Sequence, residues 1–98
     1  MIYRFEWDPA KARSNSLKHG VSFIEAMSTL RDPRALTLYD KEHSIEEDRW
    51  ITLGMVETGT VLVMVHTFEE AAEGVAVIRV ISARKATKEE RTVYERQQ

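Results

Sequence analysis

The chain contains no cysteine. Disulfides, thiolate nucleophiles and cysteine-bound metals are excluded, and the composition suits a reducing cytoplasm. No apolar run approaches the roughly 20 residues that a membrane helix needs. The opening residues Met1 to Trp7 lack the pattern of a signal peptide. Internal repeats and low-complexity tracts are missing. There is no Gly-rich phosphate loop, so nucleoside-triphosphate chemistry is not indicated. His19, His43 and His66 lie in three separate segments, without a partner ligand at the spacing of a zinc motif. No metal and no cofactor are therefore expected. With 98 residues the chain reads as one domain over 1–98, short enough for a partner to cover part of its apolar surface.

What is present is charge, unevenly placed. Residues 1–20 carry four basic and two acidic groups, and residues 79–98 carry six and three. Residues 21–48 carry three basic and seven acidic groups. Both ends are basic and the middle is acidic. If the ends meet in space they form one basic patch suited to an anionic ligand.

Residues 2–6 alternate and read as a strand. Asp8 and Pro9 open a first helix as cap and first helical residue, and Gly20 ends it. Lys11, Asn15 and Lys18 share one polar face of that helix, with His19 at its end. Ser22 and Glu25 form a capping box, with Val21 and Ala26 as a hydrophobic staple. The second helix runs to about Leu30, with Phe23, Ala26, Met27 and Leu30 buried, and Asp32-Pro33 stops it. Ala35–Tyr39 reads as a short strand and 40–48 as a polar loop. Three β-branched runs follow as antiparallel strands, Trp50–Val56, Val61–Thr67 and Val75–Ser82, the last two joined by an acidic loop at 69–74. Thr87 and Glu90 make a second capping box, opening a helix to about Arg96.

The turn at 57–59 fixes a register. A two-residue turn would force Thr58 to positive φ, which a β-branched residue resists. A three-residue loop, Glu57-Thr58-Gly59, puts glycine there instead and pairs Met55 with Val61 and Trp50 with His66. In the last long strand Ala76, Ile78 and Val80 should face the core, leaving Arg79 on the other side. Arg79 is thus expected on the same open sheet face as Trp50 and His66, in a shallow groove.

Such a groove suits RNA: Arg and Lys meet phosphate oxygens, and an aromatic ring stacks on a base. RNA cleavage by 2′-hydroxyl attack needs a base, a charge stabiliser and an acid. His66 is a candidate for proton transfer near neutral pH, and Arg79 and Arg84 for charge stabilisation. Glu47 or His43 could supply the other proton transfer. Arg49 completes the candidate catalytic group. Trp50, Lys18, His19, Lys85, Arg91 and Tyr94 are candidate substrate contacts. Glu90 is explained as a cap.

The residues that make the chain specific are Phe5 to Asp8, the run from Lys11 to Phe23, His43-Ser44, Glu47 with Arg49-Trp50, Val65-His66-Thr67, Arg79 to Ala86, Glu90-Arg91 and Tyr94. In this order the chain resembles the BrnT family of type II toxins, over roughly residues 5–94. The resemblance implies an α+β domain: a RelE-like antiparallel β-sheet with two N-terminal helices packed on one face and a C-terminal helix at its edge. It implies a metal-independent endoribonuclease of the bacterial cytoplasm, neutralised by a BrnA-like antitoxin. It also implies a homodimer within a heterotetramer that reaches operator DNA only through the antitoxin. The rival from another class is a non-catalytic binding module, or a degenerate toxin kept as an antitoxin-bound corepressor.

Overall fold

The computed structural model describes residues 1–96. The elements run β1 (Ile2–Glu6), α1 (Pro9–His19), α2 (Phe23–Met27), a 3-10 segment (Ser28–Arg31), β2 (Leu36–Tyr39), β3 (Trp50–Met55), β4 (Val61–His66), β5 (Glu69–Ala72), β6 (Val75–Lys85) and α3 (Lys88–Arg96). The strands lie in the order β1-β6-β4-β3-β2, and β5 also pairs with β6. β1 runs parallel to β6, so the sheet is mixed, not antiparallel throughout. The expected loop at 69–74 is a short exposed strand that turns back at Gly74 (φ 73°). None of the described helices is long and apolar enough to cross a membrane.

Local chemistry sets the helix ends as the sequence suggests. The Asp8 carboxylate accepts from the Ala10 N–H, and Gly20 takes the left-handed conformation at φ 68°. Both halves of the Ser22–Glu25 capping box form. The 57–59 turn forms with Gly59 at φ 85°. Val56 N–H donates to Thr60 O, and Trp50 pairs with His66.

Both faces of the sheet carry packed helical structure, the outer one over part of its width. Val21, Phe23 and Ala26 from the N-terminal helical region pack with Val56, Leu62, Met64, Val80 and Ala83 on the inner face. The 3-10 segment lies so close to β3 that a Cβ on Gly54 would sit 2.7 Å from the Thr29 carbonyl oxygen. On the outer face Tyr94 of α3 packs with Leu53, Val61 and Val63. α3 therefore covers the opposite face, where the sequence suggested an edge.

Asn15 is the polar residue on which the inner layer closes. β1 stops at Glu6, opposite Arg79, so the far half of β6 has no strand on that side. The Asn15 side-chain amide donates to Ala83 O (2.8 Å), and its carbonyl accepts from Ala83 N–H (3.1 Å). It supplies one residue's worth of strand pairing, and its second N–H reaches Val21 O (3.1 Å). A buried backbone group left without a partner is destabilising, so this side chain is structural, not part of a solvated or ligand face. Asn15→Ala is expected to lower the unfolding free energy by about 2–4 kcal/mol in urea titrations. The isosteric Asn15→Asp should do comparable damage at neutral pH, because a carboxylate cannot donate to two carbonyls. A loss under about 0.5 kcal/mol in both would remove Asn15 from this role.

Candidate active site

The site is set by a parity change in β6. Val63 pairs with Arg84, Met64 with Ala83 and Val65 with Ser82, yet His66 pairs with Val80. Ile81 is the extra residue of a β-bulge. Directly paired residues project to one face, so Val80 and Ala83 both point inward. Arg84, beside outer-face Val63, points outward, and so does Arg79, next to inward Val80. The expected joint face of Arg79 and His66 is thus corrected: the two lie on opposite faces. The two basic ends of the chain do approach, with β1 against β6 and Asn15 of α1 bonded to Ala83. Arg79 and Arg84 nevertheless point away from α1 and its lysines.

His66 is 1% exposed. Its Nδ1 lies 2.8 Å from Thr67 O, a carbonyl that can only accept, so Nδ1 carries the proton. Its Nε2 lies 2.7 Å from the Thr52 hydroxyl, which is 2.8 Å from the Thr37 hydroxyl. In the neutral ring Nε2 accepts from Thr52, and Thr52 in turn accepts from Thr37. Burial pushes the imidazole below its ordinary value of 6.5, and the bond to Thr67 only partly offsets this. A ring with both nitrogens occupied and no exposed edge cannot touch a phosphate. Its reach is indirect: Thr67 N–H donates to Arg79 O and Thr67 Oγ1 accepts from Arg79 N–H, holding the Arg79 backbone.

Arg79 itself is half exposed, and its guanidinium is bonded to Glu47. The same carboxylate oxygen lies 3.8 Å from the Arg49 guanidinium. Arg49 Nε is buried without a hydrogen-bond partner among the described residues, so its donor capacity is not used up by the protein. Glu47 and Arg49 line a pocket of about 290 Å³ together with His43, Ile45 and Glu46. The loop carrying them is closed at its base. Asp40 N–H donates to Arg49 O, and Ser44 Oγ accepts from Arg49 N–H while donating to Asp40 O. His43 Nδ1 sits 2.9 Å from Asp40 Oδ2. Glu47, Arg49 and Arg79 thus converge as the sequence suggested. Asp40, which Ser44 helps to hold in the loop, was not singled out; the visible signal was an acid three residues before a histidine.

The other candidates lie elsewhere. Arg84 is forked on Glu90, at 2.6 and 2.8 Å, and Glu90 also caps α3 through Thr87 N–H. That fork, foremost, holds the Glu90 carboxyl down to about 2. Glu90 is therefore more than a cap. Tyr94 is buried, and its hydroxyl donates to Asp32, a carboxylate that also accepts from Met55 N–H and Arg34 N–H. Burial and that bond push the phenol up to about 12, so Tyr94 anchors α3. Arg91 is exposed on the same helix. Trp50 stands in the His66 row, edge-on to Tyr39 at 5.1 Å between ring centroids. Lys18 and His19 end α1, on the inner side, and Lys85 pairs with inward-facing Leu62. A larger groove of about 590 Å³ lies between β1 and α2, lined by Tyr3, Phe5, Ile24, Met27, Leu30 and Val56 among others. It is mainly apolar and holds no histidine. Among the described residues, no three histidine, aspartate or glutamate side chains gather as metal ligands would.

Comparison with known proteins gives a consistent picture. The family described as "Ribonuclease toxin, BrnT, of type II toxin-antitoxin system" matches residues 7–90. The crystal structure of the Brucella abortus ribonuclease toxin BrnT is similar in fold, with a TM-score of 0.65 and 21% sequence identity. The match covers 90% of this chain and 100% of that one. No curated protein matches in sequence.

The buried imidazole leads to a pH prediction. Its folded value lies below 6.5, so the unfolded chain takes up the proton first as pH falls. Stability from this group is whole above pH 6.5 and is lost progressively toward the folded value. Unfolding free energies measured between pH 7.5 and 5 should decline in wild type and decline less steeply in His66→Gln. Equal slopes would show that His66 titrates as in the unfolded chain.

Proposed function

The chain belongs to the BrnT family of ribonuclease toxins of type II toxin–antitoxin systems, and from that premise we propose that it cleaves RNA at the outer-face cluster of Arg79, Glu47 and Arg49. One observation carries this reading: an exposed arginine is paired with a carboxylate that lines a pocket together with an incompletely satisfied second arginine. The substrate's 2′-hydroxyl attacks the adjacent phosphorus, and the P–O5′ bond breaks. Glu47 receives the 2′-hydroxyl proton. Arg79 and Arg49 bind the non-bridging oxygens, whose negative charge grows in the pentavalent transition state. Products are a 2′,3′-cyclic phosphate and a 5′-hydroxyl. The mechanism draws on side chains alone and so is metal-independent.

His66 and Arg84 act at one remove. His66 supports Arg79 through Thr67, and Arg84, neutralised by Glu90, forms the far wall beside α3. Arg91 extends the cationic rim along α3 for the RNA backbone, and Tyr94 keeps that helix in position. Lys18, His19, Lys85 and Trp50 belong to the opposite, inner side of the sheet from Arg79 and serve flanking nucleotides or a protein partner.

A type II toxin requires an antitoxin. We take the partner to be BrnA-like, binding a homodimer of this chain in a heterotetramer in the bacterial cytoplasm and carrying the operator-DNA contact itself. The architecture is read as RelE-like, with residues 1–98 as one domain. The test is cleavage of RNA by purified protein with and without EDTA. Wild type should cut equally in both, leave a 2′,3′-cyclic end, and fail on a substrate with 2′-deoxyribose at the cut. Arg79→Ala and Glu47→Gln should each lose at least about 10²-fold in rate while keeping the wild-type circular dichroism spectrum. Folded wild-type protein that binds RNA or antitoxin without cutting would support a binding module instead.

A further inference from the structure

Cleavage by 2′-hydroxyl attack leaves one proton unaccounted for: the one that the departing 5′-oxygen must gain. Glu47 cannot give it, since it takes the proton from the 2′-hydroxyl. His66 cannot, since it is buried with both nitrogens engaged. Arginine side chains keep theirs. Besides Glu47 and Glu46, the pocket has one proton-transferring side chain, His43.

We infer that Asp40 and His43 form a catalytic dyad in which Asp40 positions the His43 ring and His43 Nε2 protonates the leaving 5′-oxygen. Three observations carry this. First, His43 Nδ1 lies 2.9 and 3.1 Å from the two Asp40 oxygens, so the carboxylate grips one edge of the ring. Second, Nε2 has no partner among the described residues, and the side chain is 64% exposed while that of Asp40 is 10% exposed. The buried carboxylate thus fixes a ring whose opposite nitrogen is open. Third, Asp40 is itself immobilised, because its N–H donates to Arg49 O and its carbonyl accepts from Ser44 Oγ. Asp40 is thereby tied to the backbone of Arg49, a residue of the phosphate cluster, so ring and arginine share one frame. A histidine oriented by a carboxylate through Nδ1 and acting through Nε2 is a recurring arrangement for proton transfer.

The step balances. A P–O2′ bond forms and the P–O5′ bond breaks. The 2′-hydroxyl proton goes to Glu47, and the His43 Nε2 proton goes to O5′. Proton exchange with water then restores both groups.

This inference rests on the Arg79–Glu47 cluster being the cleavage centre, and the experiment separates the two. Single-turnover RNA cleavage is measured for wild type, Arg79→Ala, His43→Ala, Asp40→Asn and the Asp40→Asn/His43→Ala double variant. His43→Ala is expected to lose about 10²–10⁴-fold, and added imidazole should restore part of it. Asp40→Asn should lose at least tenfold in rate with substrate affinity changed less than threefold. In the His43→Ala background it should cost nothing further, because a positioning residue has nothing left to position. A substrate with sulfur at the 5′-bridging position, which leaves without a proton, should shrink the His43→Ala defect to a few-fold. If Arg79→Ala abolishes cleavage but His43→Ala does not, the dyad is wrong and the centre stands. If Asp40→Asn is equally damaging with and without His43, Asp40 is only structural and the dyad is again wrong. Full cleavage by Arg79→Ala overturns the centre itself.

Discussion

One inserted residue decides which face of the sheet carries charge. Ile81 has no counterpart opposite it in β4, and the pairing shifts there by one. Without that shift, strict alternation along β6 would put Arg79 and Arg84 on opposite faces. With it, Val80 and Ala83 both enter the inner core, and both arginines leave from the outer face. The bulge is braced from two sides. Asn15 binds the backbone of Ala83 on the C-terminal side. Thr67 binds the backbone of Arg79 on the N-terminal side and is held in turn by His66. The polar groups buried around this strand thus serve one local irregularity, and the exposed cluster depends on it.

Short-range features could be read from the residues themselves. Asp8-Pro9, Gly20, the Ser22–Glu25 and Thr87–Glu90 boxes and the glycine at position 59 act over a few residues. Their geometry follows from which backbone groups need partners and which residue tolerates positive φ. The register of β3 on β4 followed from that glycine. Pairings that join distant segments could not be read this way. Nothing near Ile2–Glu6 announces a parallel partner more than 70 residues on, and the strand Glu69–Ala72 is polar and exposed. The placement of Trp50 and His66 on the open face failed for a definite reason. Both faces of β3 and β4 are apolar because both are covered, so alternation carries no sign.

The candidate site was visible as residue types and invisible as geometry. Arg79 stood out because a charge inside an apolar strand needs a reason, Glu47 as a group able to take a proton, and Arg49 as a residue beside them. His66 stood out as a histidine able to transfer a proton near neutral pH, yet its partners are a row of threonine hydroxyls and a backbone carbonyl. His43 was one of two alternatives for a proton transfer, in a polar loop that offered no geometry to choose between them. What distinguishes it is Asp40 three residues earlier, buried because its backbone closes the loop against Arg49. Loop closure of that kind depends on where β2 and β3 end, and pattern alone does not place those ends.

The outer layer is a single short helix. Nine residues of α3 make a rod about 13 Å long, while the five strands in file span about 19 Å from edge to edge at ordinary spacing. Whichever way the rod lies, it cannot roof the whole face. It is pinned by the Tyr94–Asp32 bond and the Arg84–Glu90 fork, and the Arg79 region is left open to solvent. Entry to the arginines is therefore a matter of proportion: the doorway is the width of sheet that the covering helix is too short to reach, and it stands open without any segment having to swing aside.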